Sequence, residues 1–306
     1  MQMRGWGLIA AVAAMLTTGA TPPPAPARAP QIALTFDDLP AHGPLPVGGD
    51  RLVIAQRIIA ALAAQHAPAT GFVNGGFGAG DAQAGKVIAA WRRAGLPIGN
   101  HTFGHVNLDQ VGAPAFLADA DRNEAGIKAA AGTGDWHWFR YPFLAEGQAA
   151  ATRDAVRSGL KARGYRIAAV TMSFGDYAWN DAFARCTAKQ DAGAVQALEA
   201  SYLAAARAQA QRSRDLAKAA MGHDIPYVLL LHLGAFDARM APRLLALYRS
   251  MGFGFTTLAA AEADPFYAAA VDPAKPGPTA TLEAAARAAG KPVPADAPLP
   301  PATLCT

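Results

Sequence analysis

From Gln31 onward, short runs of aliphatic, β-branched and aromatic residues take turns with Ala-rich stretches of helical character, and this alternation constrains the fold more than any other feature. The runs are QIALTF, TGFVN, PIGNHT, WHWFRY, RIAAVTM, YVLLLHL and FGFTTL. The helical stretches cover 51–65, 83–94, 113–130, 148–163, 191–220 and 241–250. Strands that alternate with helices pair in parallel through crossover connections, which predicts an α/β fold of about seven parallel strands, either doubly wound or closed as a barrel. Polar residues recur at the C-terminal ends of the runs: Asp37 and Asp38, Asn74, His101, Arg140, Ser173 and His232. In α/β barrels that rim carries the chemistry.

Both termini read differently from the middle. A short basic start at Arg4, an apolar stretch from Trp6 to Leu16 and the small residues Thr18-Gly19-Ala20 predict an export signal over residues 1–20. That stretch is too short for a stable membrane anchor, so the mature chain is expected to be periplasmic or secreted and unanchored. The segment TPPPAPARAP, residues 21–30, reads as a Pro-rich linker, because proline removes donors and fixes the backbone. The folded domain is expected over 31–270. Residues 271–306 hold 8 of the 23 prolines and one weak helix, TLEAAARAA, and are expected to lie as a tail over the domain.

The 27 basic and 23 acidic residues leave a formal charge of +4 but form no run or stripe, which excludes the electrostatic footprint of a nucleic-acid binder. Two cysteines, Cys186 and Cys305, are too few for a disulfide scaffold and lack metal-knuckle spacing. In an oxidising compartment they are expected to form one bond that pins the tail.

Four segments carry the candidate chemistry. TFDDLP, residues 35–40, ends a strand with two adjacent carboxylates, one able to bind a metal and one free to take a proton; an isolated pair of this kind is more often an Asx turn or a cap. HTFGH, residues 101–105, spaces two imidazoles so that one helical turn would aim both at a common ion. With one carboxylate they make a three-ligand set that leaves positions open for water and substrate. RYPF, residues 140–143, ends another strand with a guanidinium, and LLLHLGAF, residues 229–236, brings His232 out of an apolar run, where a satisfied core histidine is the common alternative.

In this order the four segments resemble the motifs of polysaccharide deacetylases, the NodB-homology domain of carbohydrate esterase family four, over about residues 31–258. The resemblance implies a distorted (β/α) barrel and a hydrolase that removes N-acetyl groups from an acetylated glycan. It implies Asp37 as general base, Asp38, His101 and His105 as ligands of a divalent metal, His232 as general acid, and Arg140 as the group that orients Asp37. The backbone N–H of Phe143 would help to hold the oxyanion. Two imidazoles and a carboxylate suit zinc and would accept cobalt or nickel. O-deacetylation of a glycan, or glycan binding by a weakened relative, are the alternatives.

The chain departs from the family pattern twice. Leu39 replaces a glycine, which is expected to reshape the loop beside the metal. The fourth family motif survives only as DYAWND, residues 176–181. Asp176 or Asp181 is expected to orient His232, and Trp179 either to line the acetyl pocket or to pack in the core. His42, His66, His137 and His223 have no ligand spacing and receive no role.

Overall fold

A computed structural model describes residues 29–277 and 281–306, together with Gln2. The predicted export signal, apart from Gln2, and residues 21–28 of the predicted linker lie outside the described residues.

Seven parallel strands form one curled sheet, a distorted (β/α) barrel: β1 (Gln31–Leu39), β2 (Ala69–Val73), β3 (Ile98–Asn100), β4 (Trp138–Phe139), β5 (Arg166–Ile167), β6 (Tyr227–His232) and β7 (Gly254–Phe255). The order is β5-β4-β3-β2-β1-β6, and β7 pairs with the start of β1, below the point where β2 joins it. Beyond β5 the chain leans back on β6 through a parallel bridge between Met172 and Leu229, which draws the sheet towards closure. The nine-residue β1 is the axis of the fold, buried at every position after Gln31. Burial on both faces explains why β1 and β6 read as nearly unbroken apolar runs.

The helices are α1 (Arg51–Ala64), α2 (Ala84–Arg93), α3 (Leu108–Ala131), α4 (Ala150–Ala162), α5 (Tyr177–Ala188), α6 (Ala192–Met221), α7 (Ala235–Ser250), α8 (Leu258–Ala261), α9 (Ala268–Val271) and α10 (Leu282–Ala288). Three differ from the sequence reading. The predicted 113–130 helix begins earlier, at Leu108 under an Asn107 cap, and breaks at Gly112, whose φ of 76° precedes Pro114. α7 starts at Ala235 rather than 241, because Asn180 Oδ1 accepts the Phe236 N–H at 2.8 Å and so caps the first turn from another element. α5 was not foreseen at all; it carries DYAWND on a helix rather than a loop.

The C-terminal segment is docked. Leu282 and Ala286 of α10 are buried against α6, and Arg212 on α6 holds Glu283 at 2.5 Å and the Pro294 carbonyl at 3.0 Å. The buried Arg157 guanidinium donates to the carbonyls of Ala269, Asp272 and Lys275, each at 2.9 Å. A planar fork of five donors is suited to knitting an irregular segment in this way. Cys186 on α5 and Cys305 are joined in a disulfide, with 5.0 Å between their Cα atoms.

Candidate active site

The site lies at the C-terminal rim, and its first cause is a β-bulge. Phe36 pairs with Gly71 but Leu39 with Val73, so β1 has one residue more than β2 between these points. A bulge re-aims side chains that strict alternation would send to opposite faces. Asp38 takes the left-handed backbone, φ 61°, and the Ala41 N–H closes a turn on its carbonyl at 2.7 Å. Asp37 stays in register with His232 on β6. Both carboxylates are buried.

Leu39 shapes the loop beside the carboxylates from the core and does not line the entrance to the site. It is fully buried, and a Cβ at Gly71 would stand only 2.6 Å from Leu39 Cδ2. Glycine on β2 makes room for this leucine, which anchors the turn after the carboxylates in the core.

His101 and His105 are brought together, though not by a helix. Residues 101–105 form an irregular turn in which Thr102 and His105 have φ of 60° and 52°. Three asparagines hold it: Asn74 Nδ2 donates to the His101 and Thr102 carbonyls, Asn123 Nδ2 to the Thr102 carbonyl at 3.0 Å, and Asn100 Oδ1 accepts the Thr102 N–H at 2.9 Å. These bonds stabilise a left-handed threonine that the backbone would otherwise disfavour. Only Asn74 had been marked from the sequence; Asn100 and Asn123 looked like ordinary strand and helix residues.

The imidazoles then face one carboxylate oxygen. His101 Nε2 lies 3.8 Å and His105 Nε2 3.6 Å from Asp38 Oδ1. Donors about 2.0–2.2 Å from one tetrahedral ion stand roughly 3.3–3.6 Å apart, so the His105 spacing falls at the edge of that range and the His101 spacing about 0.2 Å beyond it, within reach of a single small divalent ion after a slight contraction. Asp38 Oδ1 is buried without a hydrogen-bond partner, as a ligand oxygen would be before an ion is counted. His101 Nδ1 donates to the Arg140 carbonyl at 2.7 Å, which fixes the tautomer that leaves Nε2 free. His105 sits between the rings of Phe143, 4.4 Å away, and Phe77, 5.4 Å away. Burial pushes the Asp38 carboxyl up, yet the His42 hydrogen bond and the charges of His101, His232 and His105 outweigh it and hold the group well below the usual carboxylate range. Burial, with the neighbouring charge of His101, pushes His105 down to about 4, so that it is a neutral donor at physiological pH.

Asp37 lies beside this set. Its Oδ2 is 3.7 Å from Arg140 Nη1 and 3.6 Å from His101 Nε2. Arg140 is entirely buried, donating through Nη2 to Thr35 Oγ1 at 3.1 Å, so its position is set by β1 itself. Phe143 stands in a 3₁₀ turn, Pro142–Leu144, with a φ of 58° and its ring exposed.

His232 is held from behind. Asp176, fully buried, accepts the His232 backbone N–H at 2.7 Å and Nδ1–H at 2.9 Å. Of the two aspartates considered from the sequence, Asp176 and not Asp181 has this role. Burial alone would lower the His232 pKa, but the charge and hydrogen bond of Asp176, with Asp38 and Asp37, push it up to about 10, so the ring carries a proton at neutral pH.

Trp179 is a correction. It is wholly buried, its N–H is spent on Ser201 Oγ at 2.9 Å, and its ring packs edge-on against Phe174 and Tyr202. A tryptophan enclosed in this way lines no acetyl pocket. The exposed aromatic on that side is Tyr177, edge-on to His232 at 5.7 Å. His42, given no role from the sequence, reaches the centre of the site: its Nδ1 is 2.8 Å from Asp38 Oδ2, and its ring lies 4.3 Å from that of His232.

A cavity of about 500 Å³ opens beside Arg140 and Phe143 and runs under Thr281. A second, of about 370 Å³, shares Leu144, Val170 and Thr281 with it and continues past Tyr177 to Leu299. Thr281 and Leu299 of the docked tail thus line cavities that border Arg140, Phe143 and Tyr177.

At the C-terminal rim of the α/β barrel the chain thus gathers two carboxylates and four imidazoles in one site. A polysaccharide deacetylase family model matches residues 25–169, a little under half of the chain, and this match supports a deacetylating hydrolase. The match ends before Asp176 and His232, whose place in the site rests on geometry. Similar solved structures include a family-four pseudoenzyme from Bacillus anthracis, at 14% identity over 76% of this chain and 64% of that one, TM-score 0.53. A family 4 carbohydrate esterase from Streptomyces lividans in complex with acetate matches at 19% identity over 77% and 96%, TM-score 0.48. A peptidoglycan deacetylase from Bacillus subtilis matches at 18% over 77% and 91%, TM-score 0.49. No curated protein sequence matches the chain at a significant level.

Proposed function

We propose that the chain is a metal-dependent N-deacetylase of an amino-sugar polymer or oligomer. The observation that carries this reading is the convergence of Asp38, His101 and His105, whose ligand atoms all lie within 4.8 Å of one another, with Asp37 alongside them and His232 in register with Asp37 on the neighbouring strand. These three would hold a divalent ion, zinc by donor type, with cobalt or nickel as substitutes. Such an ion, when bound, acidifies water and polarises the acetyl carbonyl.

The protein's own groups supply the remaining steps. Asp37, kept in place by Arg140, takes the proton from the attacking water. The Phe143 backbone N–H stabilises the oxyanion of the tetrahedral intermediate. His232, protonated and fixed by Asp176, gives its proton to the departing amine, which is a poor leaving group without it. This last step favours an amide over an ester substrate. Phe143 and Tyr177 offer exposed aromatic faces beside the site, suited to sugar rings.

We further propose that the protein is exported. The Cys186–Cys305 disulfide supports an oxidising compartment. No helix among the described residues is long and apolar enough to cross a membrane.

Acetate release from a panel of N-acetylated and O-acetylated glycans, with zinc or with a chelator, tests the reading. Zinc-dependent release from N-acetyl glycans is expected. Release from acetylated xylan alone would establish an O-acetyl esterase, and binding without release a non-catalytic relative.

A further inference from the structure

We infer that His42 is a positioning residue that divides the Asp38 carboxylate, taking one oxygen so that only the other is offered to the metal. The inference rests on the metal-site reading above and adds a residue to which its spacing in the sequence gives no function.

The geometry is asymmetric. Asp38 Oδ2 accepts from His42 Nδ1 at 2.8 Å, while Oδ1 has no hydrogen-bond partner and faces the Nε2 atoms of His101 and His105. An ionised carboxylate only accepts, so His42 Nδ1 must carry the hydrogen in this contact. A carboxylate with two free oxygens can bind an ion through both and fill a position that water or substrate needs. With Oδ2 occupied, Asp38 is confined to one-oxygen ligation and the site stays open. Outer groups that hydrogen-bond a ligand in this way orient it and tune its affinity.

The local sequence explains how His42 arrives there. The bulge at Asp38, the turn closed by the Ala41 N–H and the burial of Leu39 fold the chain back on itself, so the residue four beyond Asp38 lies over it. The leucine that departs from the family pattern thus anchors the turn that delivers the histidine. The His42 ring also packs on His232 at 4.3 Å and 39°, linking the metal ligand to the proposed acid.

A different role is conceivable from the same atoms: Asp38, His42 and His232 also bring ligand atoms within 4.8 Å of one another, as a second ion site would. Two observations weigh against it. His42 Nδ1 lies 2.8 Å from Asp38 Oδ2, closer than the roughly 3.3–3.6 Å between donors that share one ion, and the His232 Nδ1–H is already given to Asp176 Oδ1 at 2.9 Å.

The test uses the full chain and two variants, His42→Asn, which keeps a donor near the position of Nδ1, and His42→Phe, which keeps a ring but no donor. Zinc stoichiometry by equilibrium dialysis, affinity by chelator competition and the visible spectrum of the cobalt form are measured, with circular dichroism to verify the fold. The parent is expected to bind one ion. His42→Phe should bind it about 10–100-fold more weakly and shift the cobalt spectrum towards the lower intensity of a higher coordination number. His42→Asn should stay within about threefold of the parent. Unchanged affinity and spectrum in His42→Phe would overturn the inference and leave the metal site intact. Two ions in the parent, falling to one in His42→Phe, would make His42 a ligand and overturn it as well. A parent that binds no ion would remove both the inference and the metal-site reading. Should His42→Phe fail to fold, His42→Ala with the same measurements takes its place.

Discussion

Replacing Cys305 by serine removes the covalent tie between the last residues and α5 while leaving the buried Cys186 in place. The two cysteines are 119 residues apart in sequence. In the chain-entropy picture a loop of that length restricts the unfolded state by about 5 kcal/mol, and measured bonds usually deliver about 2–4 kcal/mol. What would remain at this end of the tail is modest. Arg185 donates to the Ala302 and Leu304 carbonyls at 3.0 Å each, and Lys189 contacts the Thr306 carbonyl. Bonds of this type contribute roughly 1 kcal/mol apiece and cannot replace the crosslink. With a urea dependence of about 3 kcal/mol per molar for a chain of this size, the midpoint should fall by about 1 M. Urea titrations followed by circular dichroism would compare oxidised parent, reduced parent and Cys305→Ser. The last two should coincide and lie below the first. Because Leu299 lines the cavity beside Tyr177, acetate release should also fall, with KM rising more than kcat. Overlapping midpoints for all three samples would refute the idea that the bond limits the unfolded state.

Asp37→Asn and His232→Ala should each lower acetate release by about 10²–10⁴-fold while zinc content stays at the parent level, since neither is a proposed ligand; full turnover in either would remove the assigned role. Asp176→Asn places an amide against two N–H donors of His232 and should lower kcat by a similar factor with KM nearly unchanged, read by steady-state kinetics. Glu262 yields a pH prediction. Buried beside Arg140, with Oε1 on the Ala169 N–H, it is pushed by burial up to about 8 from 4.5, the Arg140 charge resisting. Between those values the native state binds the proton and the unfolded state does not, so stability is full below about pH 4.5 and falls as pH rises through about 8. At about 1.4 kcal/mol per pH unit the loss is of order 3–5 kcal/mol. Glu262→Gln should flatten the decline in urea midpoint between pH 5 and 9, and parallel curves for the two proteins would show that Glu262 does not titrate there.

The parts of the fold legible in the sequence are those whose signal is local. β1 and β6 are long apolar runs because both faces are covered, and the residues at their ends are the ones the proposed chemistry uses. Strand lengths were less legible: PIGNHT yields three strand residues and RIAAVTM two, because the chain bends out of the sheet to carry side chains over the rim. The least legible features depend on partners far away in sequence. The helical reading of HTFGH failed because Asn74, Asn100 and Asn123 hold Thr102 in a left-handed conformation that no periodicity encodes. Trp179 was ambiguous for a similar reason, since α5, which buries it against Tyr202 of α6, was itself unseen. His42 carried no spacing signal because its approach to Asp38 depends on the turn between them, and the only trace of that turn was the leucine at 39.

The bulge in β1 also explains why two identical neighbours are not interchangeable. Without the extra residue, Asp37 and Asp38 would point to opposite faces of the sheet, and one would be lost from the rim. With it, Asp37 keeps its register opposite His232 and its ion pair with Arg140, while Asp38, in the left-handed backbone, turns towards His101, His105 and His42. The same chemical group therefore meets an arginine and the edge of His101 in one case and three imidazoles without an arginine in the other. That difference in surroundings, fixed by one added residue in a strand, is what supports the proposed division of proton transfer to the first carboxylate and ion binding to the second.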